Sequence, residues 1–292
     1  MTPVVQSFFH ASTNTWSHLV WDPATHAAAI VDPVLDFDPA AGRVWSESAA
    51  ALLAAAASAN LQVGWILETH AHADHLSAAD WIKRTLGARQ FAPRVGIGAG
   101  IVAVQRHFRD VFGLADFAAD GTPFDRLFAD GERLALGTLE IEVIATPGHT
   151  GDGISYRVGD AVFVGDTLFA PQGGTGRCDF PGADAATQYG SIRRLYALPD
   201  ATRVFLCHDY PAEGVPPQSE TTIGAEKSGN VQLNAATSEA DYIAFRTQRD
   251  AKLPVPRLLY PSLQVNIRAG QLPPADSAGR VFLRLPLRVD GA

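Results

Sequence analysis

The stretch His70-Ala71-His72-Ala73-Asp74-His75 places four potential metal ligands within six residues. It directly follows residues 63–69, a short apolar run that is typical of a buried strand. Imidazole and carboxylate groups together suit zinc or iron, and they hold a metal best when they converge from rigid strand ends. This stretch therefore predicts a metal site on the loop that follows a strand.

Three later segments carry the same residue types in order along the chain. Thr146-Pro147-Gly148-His149, Gly165-Asp166-Thr167 and Leu206-Cys207-His208-Asp209 each accompany an apolar, strand-like run. Taken singly, each segment has an ordinary structural explanation, because a Gly-Asp-Thr sequence is commonly a turn or a helix cap. Their joint occurrence after apolar runs indicates one shared metal centre.

Composition excludes several classes of protein. The 292 residues are 47% hydrophobic and 18% charged, with a net charge of −8 at pH 7, which disfavours disorder and nucleic-acid binding. The sequence contains neither an apolar run long enough for a membrane span nor a basic, then apolar, secretory signal. Its two cysteines, Cys178 and Cys207, suit a reducing compartment. We therefore expect a cytoplasmic protein with no nucleic-acid or membrane partner.

The hydrophobic pattern predicts two halves that each combine strands and helices. Strands are predicted at residues 4–10, 18–21, 27–31, 63–69, 133–136, 139–145, 154–158, 161–164 and 203–207. Helices are predicted at residues 46–57, 77–86, 101–112, 185–198, 221–234 and 239–251. Gly87 and Gly113 are expected to end the second and third of these helices. The tail after Lys252 contains six prolines and is expected to form an extended strap.

The ligand segments resemble the metal motifs of the metallo-β-lactamase superfamily, and Val31-Asp32-Pro33 resembles its early Asp turn. The resemblance implies an α+β fold, a four-layer αββα sandwich in which two mixed β-sheets are flanked by helices. Residues 1–292 would form a single domain of this type. Within it, residues 1–215 would be the metal-binding core, and residues 216–292 would contribute to the substrate site or to a dimer.

Within the superfamily, residues 69–78, 176–182, 220–222 and 261–270 resemble the bacterial persulfide dioxygenases, which are related to the mitochondrial sulfur dioxygenase. Ala183 departs from this pattern where a second glycine is expected, as does the loop at residues 171–174. The resemblance implies oxidation of glutathione persulfide by O₂ to give sulfite and glutathione.

The resemblance also implies the ligand set. His70, His149 and Asp166 would be the catalytic metal ligands, holding one Fe(II) per chain as a facial triad with open coordination positions. Four further residues would support them or hold a second metal: His72, Asp74, His75 and His208. Because Zn(II) binds such ligands more tightly than Fe(II), zinc is expected as the alternative metal in recombinant material.

Substrate contacts are implied at four positions, because glutathione carries two carboxylates and needs cations in an acidic protein. These positions are Arg177, Tyr210, Lys227 and Arg268. The apolar composition and long tail favour a homodimer. An alternative stays open, a glyoxalase II-type hydrolase of glutathione thioesters with a dinuclear zinc site, since all seven ligand positions are present. A lactonase and a non-catalytic binding module have less support.

Overall fold

The structure, a computed structural model, describes residues 2–88, 92–287 and 289. Its strands are β1 (Val4–His10), β2 (Thr15–Trp21), β3 (Ala27–Val31), β4 (Val34–Asp38), β5 (Arg43–Trp45), β6 (Gln62–Leu67), β7 (Leu76–Ser77), β8 (Arg94–Gly98), β9 (Arg126–Phe128), β10 (Arg133–Leu136), β11 (Leu139–Ala145), β12 (Ile154–Val158), β13 (Ala161–Phe163), β14 (Arg203–Phe205) and β15 (Glu220–Thr222). Its α-helices are α1 (Glu47–Ser58), α2 (Ala79–Gly87), α3 (Ile101–Phe112), α4 (Ala185–Leu195), α5 (Ile223–Gly229), α6 (Glu239–Asp250) and α7 (Leu259–Asn266).

The strands form two large sheets and one small one. The first sheet has the order β1-β2-β3-β6-β8-β9, the second β10-β11-β12-β13-β14-β15, and the small sheet β5-β4-β7. Both large sheets are mixed: β3, β6, β8 and β9 run parallel in the first, and β13 runs parallel to β14 in the second. Strand ends from both sheets can therefore meet at one edge.

The two large sheets pack face to face over a shared apolar core. This core combines first-sheet side chains such as Val20 and Leu67 with second-sheet side chains such as Val143, Tyr156 and Phe163. Along β11, buried residues alternate with more exposed ones, as expected for a strand with one face on the core.

Helices cover the outer face of each sheet. On the first sheet, Ile30 and Ile66 pack in one cluster with residues of α1, α2, α3 and α7. On the second, Val162 and Val204 pack with Ile192 of α4 and Tyr242 of α6. The αββα sandwich expected from the sequence is thus confirmed. No helix within the described residues is both long and apolar enough to cross a membrane.

The structure corrects three local predictions. Gly113 follows the last residue of α3 with φ +60° as expected, whereas Gly87 is itself the last residue of α2, and the residue that follows it, Ala88, is right-handed. The fifth predicted helix is shorter, because Asn230 adopts an extended conformation and its side chain accepts from two following amides. The tail is not wholly extended, since it contains α7. Pro261 fits there because first-turn amides have no partner within the helix.

Candidate metal centre

The ligand segments follow the carboxyl ends of four strands. The loop after β6, in the first sheet, carries residues 70–75. The loops after β11, β13 and β14, in the second sheet, carry His149, Asp166 and His208. The structure therefore gathers all seven predicted ligand residues at one edge of the sandwich, between the two sheets.

The seven residues form two groups, in each of which the candidate ligand atoms lie within 4.8 Å of one another. In the first group, Asp166 Oδ2 lies 3.4 Å from His149 Nε2 and 4.0 Å from His70 Nε2. The second group consists of His72, Asp74, His75 and His208. It is joined to the first through Asp166, whose Oδ1 lies 3.3 Å from His208 Nε2.

The histidine rings are oriented by contacts at their outer nitrogens. Nδ1 of His149 bonds the Arg177 carbonyl oxygen at 2.7 Å, and Nδ1 of His208 bonds the Asn14 carbonyl oxygen at 3.0 Å. Nδ1 of His70 lies 3.0 Å from Thr69 Oγ1. His72 uses its other nitrogen, with Nε2 lying 2.9 Å from Asp32 Oδ1. Such outer contacts fix the tautomer and direction of metal-binding histidines.

Five other nitrogen and oxygen atoms of these side chains are buried and make no hydrogen bond with the described residues. They are Nε2 of His70, Nδ1 of His72, Nε2 of His75, Nε2 of His208 and Oδ1 of Asp166. Buried polar atoms are nearly always satisfied in proteins, so an unpartnered cluster needs an explanation. A bound metal ion would satisfy these atoms, and the residues therefore fit a metal.

The electrostatics of the groups also suit a cation. Burial, reinforced by His72 and His149, lowers the pKa of His70 well below its usual range, so the ring is neutral. Burial opposes ionisation of Asp74, but His208 and His75 outweigh it and lower the pKa of the carboxyl. Burial likewise opposes protonation of His208, but Asp166 and Asp74 outweigh it and raise the pKa of His208, so the two carboxylates favour a positive charge beside this ring. Neutral imidazole and ionised carboxylate are the forms that bind metals.

Gly165 allows the Asp166 segment to approach the first sheet. It has φ +53°, and a Cβ at this position would lie 2.6 Å from Thr69 Oγ1 and 3.3 Å from His70 Nδ1. Both the backbone conformation and the close approach therefore favour glycine.

A cavity of about 440 Å³ opens beside the first group, with His149 and Asp166 in its wall. Two of the four predicted substrate contacts, Arg177 and Tyr210, line it. Arg177 is already engaged, because it pairs with Asp179 at 2.6 Å and donates to the Pro254 carbonyl oxygen at 2.8 Å. The Tyr210 side chain is 62% exposed.

Lys227 and Arg268 lie elsewhere in the fold and do not line this cavity. Lys227 pairs with Asp200 at 2.6 Å, and the Arg268 guanidinium stacks 4.3 Å from the Phe117 ring centroid. Sequence alone does not reveal these partners, which are distant along the chain. The prediction that both cations contact the substrate is therefore not retained.

Sequence reasoning missed three arginines that line the cavity, Arg246 and Arg249 of α6 and Arg257 before α7. It also missed Asn266 of α7, whose amide donates to the carbonyl oxygens of His72 and His75, both at 2.8 Å. The Asn266 side-chain oxygen accepts from the Ser77 amide at 2.8 Å. The only sequence signal for Asn266 was its place in the segment at residues 261–270.

Comparison with known proteins agrees with this geometry. The family model described as the metallo-beta-lactamase superfamily matches residues 13–208. A probable metallo-hydrolase of Burkholderia pseudomallei is 44% identical, covering 97% of this chain and 98% of its own length. Glyoxylase B2 of Dictyostelium discoideum is 40% identical, covering 97% and 96%.

Among solved structures, ETHE1 from Myxococcus xanthus is similar with a TM-score of 0.72 and 29% identity, covering 92% of this chain and 100% of its own. The sequence match, the sandwich and the clustered histidines and carboxylates agree with one another. The chain belongs to the metallo-β-lactamase superfamily.

Proposed function

We propose that this protein is a persulfide dioxygenase with one Fe(II) per chain, held by His70, His149 and Asp166. The observation that carries the proposal is the first ligand group, two histidines and one carboxylate beside a substrate-sized cavity. Such a triad leaves up to three coordination positions free for substrate and oxygen. The similarity to ETHE1, a persulfide dioxygenase, over nearly the whole chain supports the same reaction.

The reaction balances as glutathione persulfide plus O₂ plus water giving glutathione plus sulfurous acid, which ionises to sulfite. The terminal sulfur is oxidised, O₂ is reduced, and the sulfur–sulfur bond breaks. Ferrous iron, when bound, supplies the redox chemistry, while the protein binds, orients and desolvates the reactants. Phe180 lies against His149 and Phe169 against His208, so both give the cavity an apolar wall beside the ligand groups.

The cavity also supports an anionic thiol carrier. Arg249 and Arg257 are exposed at its mouth, and neither makes an ion pair or side-chain hydrogen bond with the residues that the structure describes. Two available guanidinium groups match the two carboxylates of glutathione, because arginine binds carboxylates with paired donors. We therefore propose Arg249, Arg257 and Tyr210 as substrate contacts, with Arg177 lining the same cavity.

A glyoxalase II-type hydrolase is the second candidate. It is favoured by the second ligand group, which would hold a second metal ion, and by the similarity to Glyoxylase B2. Such an enzyme would cleave a glutathione thioester with a metal-activated water.

One experiment separates the two functions. The iron-loaded protein is given glutathione persulfide in an oxygen electrode, and the same sample is given S-lactoylglutathione. We expect oxygen uptake with equimolar sulfite and little thioester cleavage. Rapid thioester cleavage with no oxygen uptake, in both the iron and the zinc forms, would favour the hydrolase.

Two further proposals concern the protein as a whole. Cys178 and Cys207 are both free thiols, which supports a reducing compartment such as the cytoplasm. A homodimer stays a prediction, and analytical ultracentrifugation of the purified protein tests it.

A further inference from the structure

A buried ion pair on α6 lies beside the loop that follows Asp166. Arg246 is 1% exposed, and its guanidinium pairs with the Asp250 carboxylate one turn further along the helix. A second contact joins Arg246 Nε to Asp250 Oδ2 at 3.3 Å. Replacing a buried ion pair with apolar residues is often neutral or stabilising, so stability alone does not account for this one.

The pair bonds the backbone of the loop on both sides of Arg177. Arg246 Nη1 donates to the Thr175 carbonyl oxygen at 3.2 Å, and Asp250 Oδ2 accepts from the Cys178 amide at 2.8 Å. Gln232 Oε1 links the two elements, accepting from Arg246 Nη1 at 2.9 Å and from the Thr175 amide at 3.1 Å. Residues 175–178 are thus held by side chains from α6 and from the segment before it.

The same two peptide units contact the first ligand group at their other ends. The Arg177 carbonyl oxygen bonds Nδ1 of His149 at 2.7 Å, and the Gly176 amide donates to the Asp166 carbonyl oxygen at 3.1 Å. The position of the Arg177 carbonyl decides which nitrogen of His149 faces inward. Two successive contacts therefore connect the ion pair to the His149 ring.

We propose that Arg246 and Asp250 are positioning residues for the metal centre. By fixing residues 175–178, they hold the Arg177 carbonyl where it bonds Nδ1 of His149 and leaves Nε2 facing Asp166, where it would bind a metal. Outer contacts of this kind commonly change metal affinity or activity by about 10–100-fold. The inference rests on His149 being a metal ligand, as in the proposed function, but not on which reaction the metal performs.

The main test replaces both members of the pair, Arg246→Met with Asp250→Leu, so that no unpaired buried charge remains. The matched control is Arg280→Met with Asp276→Leu, which removes an exposed ion pair of the same spacing. Co(II) affinity is measured by competition with a chelator, and the visible absorption of the Co(II) protein reports ligand geometry. We expect about 10–100-fold weaker binding and an altered spectrum in the α6 variant, and neither in the control.

A cooperative thermal transition in both double variants shows that they fold. A folded α6 variant with the affinity and spectrum of the parent would overturn the proposal. The variant His149→Ala, measured in parallel, tests separately whether His149 is a metal ligand. If that variant binds Co(II) like the parent, the ligand assignment fails; if it loses Co(II) while the α6 variant does not, only the positioning role fails.

A second comparison does not depend on the double variant. Asp250→Asn and Asp250→Ala both leave Arg246 without its charged partner, but only asparagine offers an oxygen to the Cys178 amide. We expect the asparagine variant to bind Co(II) several-fold more tightly than the alanine variant. Equal affinities would contradict a role for the bond between Asp250 and the loop.

Discussion

The Nε2 atom of His208 lies 3.3 Å from Oδ1 of Asp166, which places this carboxylate between the two ligand groups. Its other oxygen faces His149 at 3.4 Å. A carboxylate in this position can bind one metal ion or bridge two. The number of metals per chain therefore depends on whether His208 binds a metal directly or only supports Asp166.

Metal content of three variants answers this question. At saturating iron, His149→Ala and Asp166→Ala should purify essentially metal-free, because each removes one of three proposed ligands. His208→Ala should retain close to one iron per chain with reduced turnover, since losing a supporting residue typically costs about 10–100-fold. Elemental analysis measures the content. Two tightly bound metals in the parent, falling to one in His208→Ala, would contradict a mononuclear site.

Gly176→Ala should abolish metal binding. A Cβ at this position would overlap the Asp166 carbonyl oxygen and lie 2.9 Å from Nδ1 of His149, so the loop would have to move. The control is Gly190→Ala in α4, where a Cβ would meet no atom within 4 Å. That change should be neutral or stabilise the helix by about 0.5–1 kcal/mol. Metal content and melting temperature are measured for both, and a fully loaded Gly176→Ala protein would disagree with this geometry.

Arg249→Gln and Arg257→Gln should each raise KM for glutathione persulfide while iron content stays unchanged. Loss of one charge-assisted hydrogen bond costs on the order of 1.5–3 kcal/mol, or roughly ten- to a hundredfold in kcat/KM. Lys227→Gln is the control, because Lys227 pairs with Asp200 away from the cavity. Steady-state kinetics with all three variants checks the assignment. Parent-like KM values in both arginine variants would rule out these two contacts.

Asn266→Ala should destabilise the protein. The change leaves the carbonyl oxygens of His72 and His75 and the Ser77 amide without their side-chain partner. An unsatisfied buried group costs about 1–3 kcal/mol, so the free energy of unfolding should fall by at least that amount. Denaturant unfolding measures it, with the exposed Gln271→Ala as control. Equal stability of the two variants would show that these bonds contribute little.

Glu226 should make stability depend on pH. Burial raises its pKa from 4.5 to about 8, although a hydrogen bond from Asn230 opposes this shift. Between these values the folded state binds a proton that the unfolded state has lost, so stability declines as pH rises towards 8. Glu226→Gln should remove this decline and gain up to a few kcal/mol at pH 8 relative to the parent, at about 1.4 kcal/mol per pKa unit. The test is to measure the melting temperatures of the parent and of Glu226→Gln at pH 5 and pH 8. The same pH dependence in both proteins would show that the pKa of Glu226 lies near its ordinary value.

The layers of the fold could be read from the sequence because they depend on local patterns. The alternating and apolar runs of β1, β3, β11 and β12 gave their exact bounds. The ends of helices were harder to predict, because a serine before a helix can cap it or can leave the first amides without a side-chain partner. Ser46 precedes α1 but makes no capping hydrogen bond, whereas Ser238 caps α6 through the Asp241 amide.

The candidate ligand residues could be picked out because their types and order are distinctive, and the structure brings them together. Their supporting contacts could not, because these join segments that are distant in sequence. Lys227 and Arg249 are both cations in the C-terminal part of the chain, yet only Arg249 reaches the cavity. Nothing in the sequence around Arg246 indicates that this arginine is buried. Its burial follows from its contact with the loop at residues 175–178, which is distant in sequence.

The bonds from Asn266 also have a consequence for how the protein is made. Asn266 follows His72 by 194 positions, so the ribosome adds it long after the first histidines have emerged. Until α7 is synthesised and docks, the backbone of the loop at residues 70–75 lacks two of its donors and is open to water. The backbone of this loop therefore gains its full set of donors only after residue 266 has been added, and not when its first candidate ligands emerge.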